Sequence, residues 1–171
     1  LIKNNLILEK KQKDEVKNLV FLNQLNLKEL SSTQKIAYKK IKDKIKKENQ
    51  KPIFLDGVTG SGKTEIYFHL IKDFLRRKKQ ILILLPEIAL SEQWLNRFKN
   101  SFGFSPLVWN SKIKISAKRK VWNAALKQKS LVVVGARSAL FLPYLNLGLI
   151  VIDEENDQSY KQDEGVIYNA R

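Results

Sequence analysis

The chain contains no cysteine and no methionine, a single histidine, and only four prolines and seven glycines in 171 residues. Without cysteine, neither a disulfide nor a thiolate metal site can form within it. Its longest apolar runs, such as Ile81 to Leu85, fall well short of the ~20 residues needed to cross a bilayer. No signal-peptide pattern opens it. No membrane role is expected, and a cytoplasmic location is the default. Acidic residues are scarce too: 17 against 32 lysines and arginines, a net charge of +15. Such an imbalance points to a polyanionic partner, nucleic acid first among them, although lysine is scattered along the whole chain. The start at Leu1 and the lack of methionine lead us to expect a segment cut from a longer polypeptide. Its length suits one domain with a full core.

What is present is most specific at Gly57-Val58-Thr59-Gly60-Ser61-Gly62-Lys63-Thr64, which matches G-x-x-x-x-G-K-[ST] at every fixed position. Glycines let the backbone turn so that successive N–H groups converge on one anion. A following helix points the positive end of its dipole at the same place. Lys63 then brings a cation to the β- and γ-phosphates, and the Thr64 hydroxyl holds Mg²⁺. Pro52 to Asp56 reads as a short buried strand leading in, and Ile66, Tyr67, Leu70, Ile71, Phe74 and Leu75 recur at helical spacing after it. The context is that of a nucleotide site.

Residues 1–30 read as the tail of a preceding domain and a charged connector. Ser31-Ser32-Thr33-Gln34 is a capping box that starts a helix with Ile36, Ala37, Ile41 and Ile45 on one face. Gln34 has two readings. Spacing favours the cap; an amide can also pair with adenine. Gln80 to Leu85 is a continuous apolar run stopped by Pro86, as in a buried parallel strand. A helix is expected from Glu87 to Asn100, ended by Gly103. Further strands are expected at 106–110, 131–134 and 147–152, and a basic helix capped by Ser116 runs to Lys129 with Trp122, Ala125 and Leu126 on its apolar side. Strands alternating with helices predict an α/β fold, a mainly parallel sheet with helices on both faces.

Gly148 to Glu154 is the second strong signal, an apolar strand ending in Asp153 and Glu154. Asp153 emerges at the carboxyl edge of the sheet, where the phosphate loop also lies. It can orient Mg²⁺ opposite Thr64, with Glu154 placed to polarise the attacking water. The guanine-reading pattern Asn-Lys-x-Asp is missing, so an ATP-hydrolysing motor fits better than a GTPase. Arg137 and Ser138, in a loop after the third apolar run, suit phosphate oxygens. Phe141 reads as a core aromatic. The stretch from Asp157 to Gly165 carries Tyr160 and Lys161, which could stack on a base and hold a phosphate or belong to an ordinary surface loop. His69 has no partner motif and is given no role.

Together these motifs resemble the PriA family of replication-restart DNA helicases (primosomal protein N′) in superfamily 2. The stretches that carry the resemblance are Asp56 to Glu65, Leu85 to Leu90, Gly135 to Pro143, Asn146 to Glu155 and Ser159 to Gln162. The resemblance implies a RecA-like P-loop lobe over 31–171, the first of two motor lobes, with 1–30 as the end of a winged-helix module and a linker. It implies ATP and Mg²⁺ as cofactors, with zinc only in a part of the family's proteins that this chain does not contain. The implied partners are forked or single-stranded DNA, other primosome proteins and single-strand-binding protein, with the protein a monomer. Gln34 then belongs to an adenine-reading motif, Arg137 and Ser138 touch the DNA backbone, and the segment after Glu155 couples DNA contact to hydrolysis. The chain departs from the family pattern at Asn156, where a histidine is usual, and at Ile167-Tyr168-Asn169-Ala170-Arg171, where Arg-Tyr-His-Ala-Arg-Asp is usual. An amide cannot take up a proton near neutral pH, so both changes bear on coupling and leave nucleotide binding untouched. With the second lobe's arginine finger, worth about 10³–10⁵ in rate, outside the chain, weak ATP binding and poor hydrolysis are expected of it alone. Two rival readings are a degenerate nucleotide-binding module and an RNA-directed motor.

Overall fold

The computed structural model describes residues 25–47, 51–58, 60–86, 89–128, 131–162 and 168–169. The readings made for 1–24, Thr59, Glu87, Ile88, Lys129, residues 163–165, Ile167, Ala170 and Arg171 lie outside the described residues. Four parallel strands, β1 (Gln80–Leu84), β2 (Leu107–Trp109), β3 (Val132–Gly135) and β4 (Leu147–Ile152), stand in the order β2-β3-β1-β4. Leu84 lies level with Gly135 on one side and Ile152 on the other, and Gly135 with Trp109. All four carboxyl ends therefore open on one edge.

The apolar runs are long enough for both faces to be covered. Ile81, Ile83, Val132 and Val134 point to one face, where α2 (Lys63–Arg76) and α3 (Glu92–Phe102) cover them with Phe68, Ile71, Phe98 and Phe102. Leu82, Leu84 and Val133 point to the other, under α4 (Ile115–Leu126) and a 3-10 helix at Arg137–Phe141. The opposed directions follow from the period-2 alternation of strand side chains. α1 (Ser32–Lys46) packs on α2 through Ile41, Ile66 and Leu70. Among the described residues Gln80 and Glu65 are the buried polar ones, and Gln80 sits in the sheet. Its amide donates to the Ala125 carbonyl at 2.9 Å and accepts from the Asn146 N–H at 2.8 Å, tying α4 and β4 to the central strand. No helix among the described residues is long and apolar enough to cross a membrane.

Several expectations are corrected. Residues 52–58 form no strand, and Phe54 is 70 % exposed. Only Ile53 and Leu55 pack, against the α1–α2 cluster that also holds Leu149; an apolar run with one half facing water reads the same as a buried strand. Ile36 is exposed because the contact face of α1 is set by Ala37, Ile41 and Ile45. The third helix starts at Glu92, capped by Ser91, whose Oγ accepts from the Trp94 N–H at 3.3 Å. It ends at Gly103, with φ +76°. Ser116 does not cap α4: the cap position is Lys114, after a turn held by Asn110 Oδ1, which accepts from the N–H groups of Lys112 and Ile113. That helix buries Val121 and Ala125, leaving Trp122 and Leu126 exposed. Phe141 is 59 % exposed, since Ala139 of its 3-10 helix and Leu142 just after it take the inward positions. Residues 25–30 pack on this lobe: Leu25 and Leu27 reach the α2–α3 core, and the Asn26 N–H donates to the Ser101 carbonyl at 2.9 Å.

Candidate nucleotide site

The loop before α2 is shaped by two glycines in left-handed backbone, Gly60 and Gly62, each with φ +81°. Any other residue is strained there. Gly62 is the N-cap of α2 and no side chain caps that helix, which leaves the N–H groups at its start without a side-chain acceptor. A Cβ on Gly57 would stand 2.8 Å from Ser61 Oγ, and one on Gly62 only 2.3 Å from Gln34 Nε2. The Lys63 ammonium donates to the Gly57 carbonyl and lies 3.5 Å from that of Val58. A backbone this tight, leading into a helix N-terminus without a side-chain cap and with a cation beside it, fits a polyphosphate.

Gln34 closes the loop from α1. Its Oε1 accepts from the Ser31 N–H at 2.9 Å while its Nε2 donates to the Ser61 carbonyl at 3.0 Å. The capping reading therefore holds, and the same amide also braces the phosphate loop, a contact the helical spacing did not reveal.

Asp153 follows β4 on the open edge, and Tyr67 brings it to the loop helix. The Tyr67 hydroxyl donates to Asp153 Oδ2 at 2.9 Å and accepts from Trp94 Nε1 at 3.2 Å. Burial raises the Tyr67 pKa far above the usual phenol range, and the Asp153 charge adds to it, so the proton stays on the phenol. Asp153 Oδ1 accepts from the Glu154 N–H at 3.1 Å. Glu154 itself has a left-handed φ of +51° and an exposed side chain. Among the described residues no group of three or more His, Cys, Asp or Glu side chains could hold a metal. One carboxylate and one hydroxyl, both hard oxygen donors, still suit Mg²⁺, which keeps several waters and binds phosphate oxygens.

The remaining predicted residues lie on the same edge but are engaged within the protein. Arg137 Nη1 donates to the carbonyls of Ser159, at 3.0 Å, and Lys161. Ser138 Oγ accepts from Trp109 Nε1 at 3.2 Å. Lys161 is exposed, at the start of β5 (Lys161–Gln162), which pairs antiparallel with β6 (Tyr168–Asn169). Tyr160 requires a correction. Its ring is 1 % exposed and packs among Leu84, Val133 and Ala139, so it cannot stack on a base. His69 Nε2 donates to the Lys28 carbonyl at 2.9 Å, a structural contact.

Residues 27–167 match the family described as the type III restriction enzyme, res subunit. The chain is 54 % identical to the replication restart protein PriA of Rickettsia felis, over 92 % of its own length and 24 % of that protein's. To PriA of Bacillus subtilis it is 42 % identical, over 83 % of this chain and 18 % of that one. It thus spans about a quarter or less of these relatives. In fold it is similar to the helicase MrfA, in a crystal structure bound to DNA and AMPPNP. The TM-score is 0.57 and the identity 20 %, over 80 % of this chain and 20 % of that one. The shared architecture is that of a RecA-like α/β lobe. Because the family match takes in both the phosphate loop and Asp153, this chain belongs to the type III restriction enzyme res-subunit family and is a relative of the PriA replication restart proteins.

Proposed function

We propose that the chain is the first motor lobe of an ATP-dependent DNA helicase or translocase that acts in replication restart. The observation that carries this reading is the hydrogen bond by which Tyr67, one turn into the loop helix, holds Asp153 at 2.9 Å on the edge of a helix N-terminus that no side chain caps. Bound Mg·ATP supplies an electrophilic phosphorus and a good leaving group. Toward it, the loop N–H groups and Lys63 bind phosphate oxygens, Gln34 meets the adenine edge, and Thr64 and Asp153 orient the hydrated Mg²⁺. Glu154 takes the proton of the attacking water. A second lobe, outside this chain, adds the arginine that completes the site and makes opening and closing of the cleft a step along DNA.

DNA is the substrate favoured by the net charge of +15 and by relatives named for replication restart. Arg137, Ser138 and Lys161 are the backbone contacts on the sheet edge; Tyr160 acts from within the fold. The test is ATP hydrolysis by the full-length protein containing this segment, with and without single-stranded and forked DNA at fixed salt, beside an Asn156→His version. DNA stimulation is expected. Nucleotide binding with a rate indifferent to DNA, restored by Asn156→His, would mark an uncoupled nucleotide module. Equal stimulation by RNA would mark an RNA-directed motor.

A further inference from the structure

We propose that Tyr67 is a positioning residue: its hydroxyl fixes the Asp153 carboxylate relative to Thr64, and the Trp94 indole fixes the hydroxyl. This inference rests on the nucleotide reading of the site. An indole N–H can only donate, so at 3.2 Å the Tyr67 oxygen must be its acceptor. The phenolic hydrogen is then left for Asp153 Oδ2 at 2.9 Å, a carboxylate oxygen that can only accept. The other carboxylate oxygen takes the Glu154 N–H at 3.1 Å, so the carboxylate plane is held at both ends. The Asp153 backbone is held as well, its N–H on the Leu84 carbonyl at 3.1 Å and its own carbonyl accepting from Tyr160 at 2.6 Å.

A satisfied core phenol needs one partner, and this one connects three elements. Tyr67 is 5 % exposed, so water cannot easily replace its hydroxyl. It belongs to α2, one turn beyond Lys63; Asp153 follows β4, and Trp94 lies on α3. Mg²⁺ demands near-ideal octahedral geometry, so the partners that orient its ligands control affinity. The position of α3 is thereby tied to the metal-holding acid through two hydrogen bonds.

The test uses the full chain and ADP as probe, titrated calorimetrically with and without saturating Mg²⁺. Tyr67→Phe removes the hydroxyl and keeps the ring against Phe68. Affinity without Mg²⁺ should match the wild type, and the gain on adding Mg²⁺ should shrink by about tenfold, within the range for partners of metal ligands. The Trp94 indole N–H resonance, assigned by Trp94→Phe, should shift with Mg·ADP in the wild type and stay put in Tyr67→Phe. If Tyr67→Phe does not fold, Trp94→Phe carries the test and should also reduce the Mg²⁺ gain. An undiminished gain, or an equal loss with and without Mg²⁺, would overturn the assignment. A wild-type chain that ignores ADP under both conditions would instead overturn the nucleotide reading, and this inference with it.

Discussion

The Tyr160 hydroxyl donates to the Asp153 carbonyl at 2.6 Å and lies 3.0 Å from that of Leu84. It joins the carboxyl ends of β4 and β1 from inside the core. Burial, and secondarily the charges of Asp153, Asp157 and Glu154, raise its pKa far above the ordinary phenol value. Tyr160→Phe leaves both carbonyls without this donor and should lower stability by about 1–2 kcal/mol, read by urea unfolding. DNA affinity should fall little, because a buried ring is not a stacking platform. A large loss of DNA affinity at unchanged stability would contradict this assignment.

Gly62 and Gln34 form a joint that tolerates neither a side chain nor its removal. Gly62→Ala places a methyl where the Gln34 amide lies and strains a φ of +81°. It should cost about 1–3 kcal/mol. Gln34→Ala loses half of the capping box and the brace on Ser61, a cost of about 1 kcal/mol. Its preference for ADP over GDP should fall as well, measured by calorimetry with each nucleotide.

Gly135 is a second site of close approach. A Cβ there would stand 2.2 Å from the Trp109 carbonyl oxygen, where β3 meets β2. Backbone cannot swing aside as a long side chain can, so Gly135→Ala should destabilise by about 2 kcal/mol or more. Thermal melting checks this, and a melting temperature equal to wild type would contradict it.

Asp73 links α1 to α2. It accepts from Tyr38 at 2.6 Å and pairs with Lys42 at 3.0 Å. Burial works against its ionisation, but the hydrogen bonds from Tyr38 and Lys42 outweigh it and hold the carboxyl below its usual value of 3.8. A depressed folded pKa gives stability that is present above the unfolded value and lost as pH falls through the folded one. Asp73→Asn should therefore cost about 1 kcal/mol at neutral pH. The difference from wild type should close in acid, below the usual carboxyl range. Denaturant unfolding across that window checks the sign.

The geometry of the candidate site was legible where a pattern constrains both residue type and spacing. The loop from Gly57 to Thr64, the Ser31–Gln34 box and the strand ending at Asp153 each carry such a constraint. β4 has the expected bounds, and β1 and β3 differ by a residue. Contacts made between elements were not legible. Tyr67 reads as one more apolar position of a helix, and nothing in its spacing marks the hydroxyl as a partner of Asp153. Val121 and Trp122 are neighbours in sequence, and only the packed sheet decides which is buried. The left-handed turn at Glu154 leaves no residue signature, because glycine is absent where φ is +51°.

The central claim is that the Lys63 loop and Asp153 serve one Mg²⁺-bound nucleotide. Calorimetric titration of the Lys63→Ala chain with Mg·ATP, beside thermal melting, tests it most directly. Losing a charge-assisted contact to phosphate should weaken binding by at least about tenfold while the melting temperature stays near wild type. Unchanged affinity in a folded Lys63→Ala chain would contradict the account.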